Sequence, residues 1–424
     1  MKTAALAGFL FIALLLTPSS SGYSVLTHEE IVDLLWTTHI RPLLLERYPG
    51  LSEKQLIEAH AYAYGGSVIQ DLGYYPFGSK EFSDLTHYVR SGDFVSELIL
   101  ESRNANEYAF ALGAMAHYVS DIDGHPAVNQ AVAIEHPHLR SRFGRIVTYE
   151  DDESAHLKTE FGFDVEQVSR HRYAPQDYRN FVGFDVSMPL LERVFPIVYG
   201  VELDQVLKHQ SLAVGSYRWA ISQLIPHMTK VAIQAQKKEL KHHRQPDTAA
   251  QQIFLYHVSR ADYRHKWGKK YRHAGLGTRL LAALLNLVPK VGPFKGLGFT
   301  PPPEKAEELY LKSIDKTYAD YDALLTDAKA GTPQLPDRDL DTGARTSLGE
   351  YKLADRTYGK LLRQLDKQRF ADADGALRKN ILGFYASGPK PKGWRARHHW
   401  HKIKKELKQM QAAPTAAHPA HAGD

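Results

Sequence analysis

The chain has 424 residues, 43% hydrophobic and 11% aromatic, enough for a real core spread over roughly two or three domains, which excludes a collagenous, coiled-coil or wholly disordered protein. Cys is absent, so a disulfide framework and thiolate metal sites are excluded, and any metal falls to His, Asp, Glu or backbone groups. A net charge of +5 is mild, so attraction to phosphate or to a membrane must come from local clusters.

Met1 to Gly22 reads as a cleavable export signal: Lys2 is the positive start, Ala4 to Leu16 is apolar, and small residues continue to Gly22. The mature protein is then secreted or periplasmic and begins at Gly22 or Tyr23. No other apolar run approaches the roughly 18 to 20 residues that cross a bilayer. Helical periodicity dominates the chain beyond this segment. Thr27-His28-Glu29-Glu30 predicts a capping box opening the first helix, and Ser52-Glu53-Lys54-Gln55 predicts another. Gly and Pro between 65 and 76 break the pattern and leave Asp71, and the segment up to His87, near a helix end and in a loop. A helix from Asn106 should end at Gly124-His125-Pro126, because the residue before Pro is pushed out of the helical region. Helices over 156–161 and 187–201 come next, and a long one over 203–240 should kink at Pro226.

No stretch of this part alternates with period two, so the first domain, 23–240, is predicted to be all-α. A linker is placed at 241–250 and a helical, basic region of unassigned role at 251–410. Within the basic stretch 237–273, Tyr256, Tyr263, Trp267 and Tyr271 are interleaved with the cations. Glu304 to Ala328 is helical in pattern, 330–348 with its Pro and Gly reads as an exposed loop, and 411–424 as a disordered tail.

Metal-ligand residue types recur at helical spacing. His117 and Asp121 are i, i+4 and share a helix face, and His125 stands one turn later, able to turn toward a second ion. His156 and Glu160 repeat the spacing. Alone, each pair equally describes a surface hydrogen bond or a charged helix face. Asp71 and His87, taken singly, are ordinary turn or ring residues. His28 lies five residues from Tyr23, so a cleaved terminus could bring an α-amino group and His28 onto one ion.

The stretches Ser24-Val-Leu-Thr-His28-Glu-Glu-Ile, Gly66-Ser-Val-Ile-Gln-Asp71 with Thr86-His87-Tyr, Phe110 through His117, Asp121 and His125, and Ala155-His156-Leu-Lys-Thr-Glu160-Phe-Gly-Phe-Asp164 come in one order. Together they resemble the zinc-dependent phospholipase C and single-strand nuclease superfamily. The likeness is nearest to the phospholipase C branch that includes the catalytic domain of glycosylphosphatidylinositol-specific phospholipase D, and it covers about residues 23 to 165. It implies an all-α, multi-helical phospholipase C/nuclease-like domain with an additional, mostly helical C-terminal domain. It also implies a cluster of two or three zinc ions. By this resemblance Asp71, His87, His117 and Asp121 hold one zinc, and His125, His156 and Glu160 a second. Asp121 bridges to a third, completed by His28 and the mature terminus, where Tyr23 or Gly22 stands in place of the Trp of bacterial members. His125 stands four residues after the bridging Asp, where many members have six, and His136 and His138 are its substitutes if it points elsewhere.

The resemblance implies hydrolysis of a phosphodiester by a metal-bound hydroxide, with Asp71 a candidate acceptor of the water's proton. Phospholipid head groups are the first choice of substrate. Trp394, Trp400, Ile403 and Leu407, amid the basic residues of 390–408, suggest peripheral contact with a membrane, or a solvated basic tail. The same basic and aromatic stretches suit single-stranded nucleic acid, and a non-catalytic zinc-binding helical protein is the third reading.

Overall fold

The computed structural model describes residues 24–236 and 301–416, apart from 175, 332 and 389–393. Outside the described residues lie the predicted export signal with Tyr23, the linker at 241–250, the basic aromatic stretch and the last eight residues. Among the described residues the architecture is helical, with two isolated bridges and no sheet.

The first helix, α1 (Val25–Leu35), is not opened by the predicted capping box. Its N-cap is three residues earlier, at Ser24, and its first turn is capped from a distance. Asp164 accepts the Leu26 N–H at 3.0 Å and the Thr27 hydroxyl at 2.7 Å. Glu30 meanwhile accepts the Ala174 N–H at 2.7 Å. The second box is formed as predicted: Ser52 and Gln55 satisfy each other at the start of α2 (Glu53–Gly66). A short 3-10 turn (Ile69–Tyr74) then carries Asp71, and α3 (Lys80–Tyr88) carries His87, which sits on a helix rather than in the predicted loop.

The central element is α4 (Ala105–Glu135), buried along nearly its whole length. Its Gly113 lets α2 approach backbone to backbone: a Cβ there would lie 2.1 Å from the Ala63 carbonyl oxygen. The helix does not stop before Pro126. Pro126 has no N–H for the Ile122 carbonyl, yet packing on all sides keeps the chain helical for nine further residues, to Glu135. That carbonyl is instead covered by Gly343, where a Cβ would meet it at 2.3 Å. Running through Pro126 keeps Asn129 one turn beyond His125 on the same face.

Next come α5 (Glu153–Ser169), longer than predicted at both ends, and α6 (Met188–Tyr199), with Pro189 in its first turn. The long helix expected over 203–240 is a short helical turn (Leu203–Val206) and then a run from Gln210 to Ala235. A π turn (Ala220–Leu224) precedes Pro226, which therefore sits in the first turn of the last segment.

From the C-terminal half, α7 (Glu304–Ala330) lies along α4, where the Tyr321 hydroxyl donates to the Leu112 carbonyl at 2.8 Å. Three further helices follow among the described residues: α8 (Lys352–Lys367), α9 (Gly375–Ser387) and α10 (Trp394–Ala412). Buried residues of both halves join in one hydrophobic cluster. The apolar side of α10 faces inward: Ile403 is buried, and Trp400 and Leu407 pack on the same cluster. The Arg378 guanidinium binds the carbonyls of Met410 and Ala413 at 2.7 Å, so ordered structure continues past residue 410.

The segment predicted as an exposed loop, 330–348, is buried at its centre and at scattered positions on either side. Leu335, Asp339, Leu340 and Asp341 are covered, because their polar groups find partners in the first half of the chain. Ser91 bonds both the carbonyl and the N–H of Arg338, and the Tyr118 hydroxyl donates to the Pro336 carbonyl at 2.5 Å. We call residues 336–343 the strap.

Candidate metal centre

Helix α4 presents His117, Asp121 and His125 on one face, and the other candidate ligands are brought to it from four separate elements. Asp121 is the hub of the first group. Its Oδ2 lies 3.0 Å from His117 Nε2 and 3.5 Å from His87 Nε2, and its Oδ1 is 3.5 Å from His28 Nε2. Asp71 approaches His87 Nε2 at 3.4 Å. The rings of His28 and His117 stack with centroids 4.5 Å apart.

A second group collects below the first along α4. Glu160 Oε1 lies 2.8 Å from His156 Nδ1 and 3.8 Å from His125 Nε2. Two sets of donor atoms around Asp121 and Asp71, His28-His117-Asp121 and Asp71-His87-His117, and one set in His125-His156-Glu160 each lie within 4.8 Å of one another. All eight residues are buried.

The outward hydrogen bonds of the rings decide which nitrogen faces the cluster. His87 Nδ1 meets the Ser83 carbonyl at 2.8 Å, and His117 Nδ1 meets the Ser67 carbonyl at 3.0 Å. A carbonyl can only accept, so both Nδ1 atoms carry hydrogen, and Nε2 is the nitrogen that faces the cluster in both rings. His125 Nδ1 is likewise bonded to the Leu340 carbonyl at 2.5 Å. His156 is reversed: its Nε2 bonds Asn129 Oδ1 at 2.9 Å, and its Nδ1 faces Glu160.

Electrostatics agree with this geometry. Burial pushes Asp121 up, but the His117 and His125 rings, with bonding from His117 and His87, outweigh it and hold the carboxyl well below its ordinary value. Burial pulls the His87 ring down, yet Asp121 and Asp71 together hold it well above the usual imidazole range. The first group therefore draws positive charge into its centre. Burial raises Asp71, with His87 and His117 opposing. His28 is pushed well below its ordinary value by burial and then by His117. Burial lowers His156 to about 4, so its ring is neutral at physiological pH, the form a metal requires.

The donor set fits zinc. Imidazole nitrogen and carboxylate oxygen are its ordinary ligands where Cys is absent. Both oxygens of Asp71, Nε2 of His87, His117 and His125, and Nδ1 of His156 are buried without a hydrogen bond of acceptable geometry. Such orphaned donor atoms in one place are costly unless a cation satisfies them.

Sequence reasoning thus names eight residues that the fold brings together, while Tyr23 lies outside the described residues. His125 points into the centre, and His136 and His138 belong to none of the three sets, their rings facing each other with centroids 5.9 Å apart. The surrounding shell is what sequence reasoning misses: Ser67, Ser83, Asn129 and the strap. Asn129 carries a signal, standing four residues beyond His125 on a helix that reads as ending too early.

The all-helical fold and its buried His and carboxylate groups define a class, helical proteins with a candidate metal centre in the core. Residues 27–206 match the family model described as zinc dependent phospholipase C. No curated protein and no solved structure matches the chain.

Proposed function

We propose that the protein is an exported zinc-dependent phosphodiester hydrolase, a phospholipase C acting on phospholipid head groups. The observation that carries this reading is the coincidence of the family match, 27–206, with the stretch that supplies all eight buried ligand candidates. His28, Asp71, His87, His117 and Asp121 would hold zinc in the first group and His125, His156 and Glu160 in the second, two or three ions in all. Bound zinc supplies a water acidic enough to attack near neutral pH and positive charge for the phosphodiester oxygens.

The chain's own residues then keep ligands and proton acceptors in place. The carbonyls of Ser83 and Ser67 hold the His87 and His117 rings with Nε2 inward. Asp71 is the residue we assign to accept the proton of the attacking water: burial has raised its affinity for one, and its oxygens are not engaged by backbone. Peripheral membrane contact through α10 would rest on its exposed Lys402, Lys404, Lys405 and Lys408, since the apolar face is docked inside the fold; the Trp394 side chain lies outside the described ones. Among the described residues no helix is long and apolar enough to cross a membrane.

The test is turnover by the purified mature protein, offered phosphatidylcholine vesicles and single-stranded DNA side by side. We expect release of the phosphorylated head group, abolished by a chelator and restored by zinc. Cleavage of DNA alone would make the protein a nuclease, and zinc binding without either turnover would make it a non-catalytic metal protein. Sequencing the amino terminus of the exported protein checks for Gly22 or Tyr23.

A further inference from the structure

Resting on the zinc reading above, we propose that the dipeptide Leu340-Asp341 is a positioning element of the His125-His156-Glu160 group. A segment beyond the family-matched stretch thereby completes the second half of the metal centre.

The bonds run outward from the two rings and end on the same two residues. The Leu340 carbonyl takes the His125 Nδ1 hydrogen, which leaves Nε2 to face Glu160. The Asp341 carbonyl takes a hydrogen from Asn129 Nδ2 at 2.9 Å. Because that carbonyl can only accept, it fixes the Asn129 amide with Oδ1 toward His156, which makes His156 Nε2 the donor and bares Nδ1. One dipeptide therefore sets the tautomer of both imidazoles in the group.

The Asp341 side chain adds charge at the same place. Its Oδ2 receives the hydroxyls of Tyr88 at 2.8 Å and Tyr351 at 2.6 Å. Its Oδ1 is buried, has no hydrogen bond, and lies 3.9 Å from His125 Nδ1. A carboxylate behind a ligating ring raises the basicity of the nitrogen that faces the metal. The dipeptide is itself anchored to the first group, because the Leu340 N–H donates to the His87 carbonyl at 3.2 Å. Neither residue belongs to any of the three donor sets, so the role of the dipeptide is to position and tune.

The experiment is a zinc titration of the full-length mature protein, competed against a chromophoric chelator, for wild type, Asp341→Asn and Asn129→Ala, with helix content monitored by circular dichroism. Loss of an outer-shell partner weakens metal affinity about 10- to 100-fold. We expect each variant to weaken the same single zinc equivalent by that factor, leaving the others and the helix content unchanged. Wild-type affinity for every equivalent in both variants overturns the proposal. So does parallel weakening of all equivalents, which is what general loosening of the fold produces. If Asp341→Asn fails to fold, Asn129→Ala decides by the same criteria. Failure of the zinc reading itself is seen separately, as a wild-type protein that takes up no zinc.

Discussion

The two ends of the candidate metal centre are built differently. Around Asp121 the rings are held from within the family-matched stretch by backbone carbonyls, His87 by Ser83 one turn earlier and His117 by Ser67 fifty residues earlier. Around Glu160 the outer partners lie more than two hundred residues away in the chain: His125 is held by Leu340, and the Asn129 that holds His156 is itself held by Asp341. The first group is close to self-sufficient, whereas the second is completed by the C-terminal half. Ligands alone do not make a site, since each ring must also be kept in one tautomer.

The largest expected effect is at the hub. Removing one partner from a buried charged set costs about 3–5 kcal/mol. Asp121→Asn should therefore release the zinc of the first group and lower phosphodiesterase activity by about a thousandfold or more, measured by metal analysis and initial rates. If the two groups are separable, the equivalent at His125, His156 and Glu160 survives. Loss of every equivalent would show that the hub serves both. Next is Asp71→Asn: if Asp71 accepts the water's proton as proposed, the rate should fall by about a hundred- to ten-thousandfold.

The strap gives a smaller effect on the other side of the comparison. Gly343 has φ +68° and meets the Ile122 carbonyl where Pro126 leaves it without a donor. Gly343→Ala should destabilise the fold by about 1–3 kcal/mol, seen as a lower melting temperature, and should loosen the second zinc equivalent before the first. Equal loosening of both would erase the distinction between the groups.

The smallest effect concerns Glu135 at the end of α4. It accepts a hydrogen bond from Thr159 at 2.6 Å, and burial, only partly offset by that bond, pushes its carboxyl up to about 7. Linkage gives the sign: with the folded value above the ordinary 4.5, the stabilising contribution is complete below about 4.5 and is lost as pH rises through about 7. Glu135→Gln keeps an acceptor for Thr159 and cannot ionise. Denaturant midpoints of the wild type should fall relative to the variant between pH 4.5 and 7, and parallel curves would contradict the assignment.

The parts of the fold legible in the sequence obey local rules. The i, i+4 spacing of His117 with Asp121, and of His156 with Glu160, can be read because a helix places those positions on one face whatever surrounds it. The all-α class can be read for the same reason. Other readings fail where distant packing overrides a local signal. Pro126 marks a helix end in water, but here a buried helix runs through it. Thr27 looks like half of a capping box, but its hydroxyl is taken by Asp164 from another helix. The strap, rich in Pro, Asp and Gly, has the composition of an exposed loop, and nothing near it in sequence tells that His125 and Asn129 will cover its carbonyls. His87 reads as a loop residue because the Gly and Pro before it end one helix without marking the start of the next.

The most direct test of the central claim is the metal content of the purified, full-length mature protein, determined by elemental analysis after exchange into metal-free buffer and back into excess zinc, then desalting. Three sets of buried donors, two of them sharing His117, predict two or three tightly held zinc ions per chain. A folded, helical protein that retains none would contradict the account.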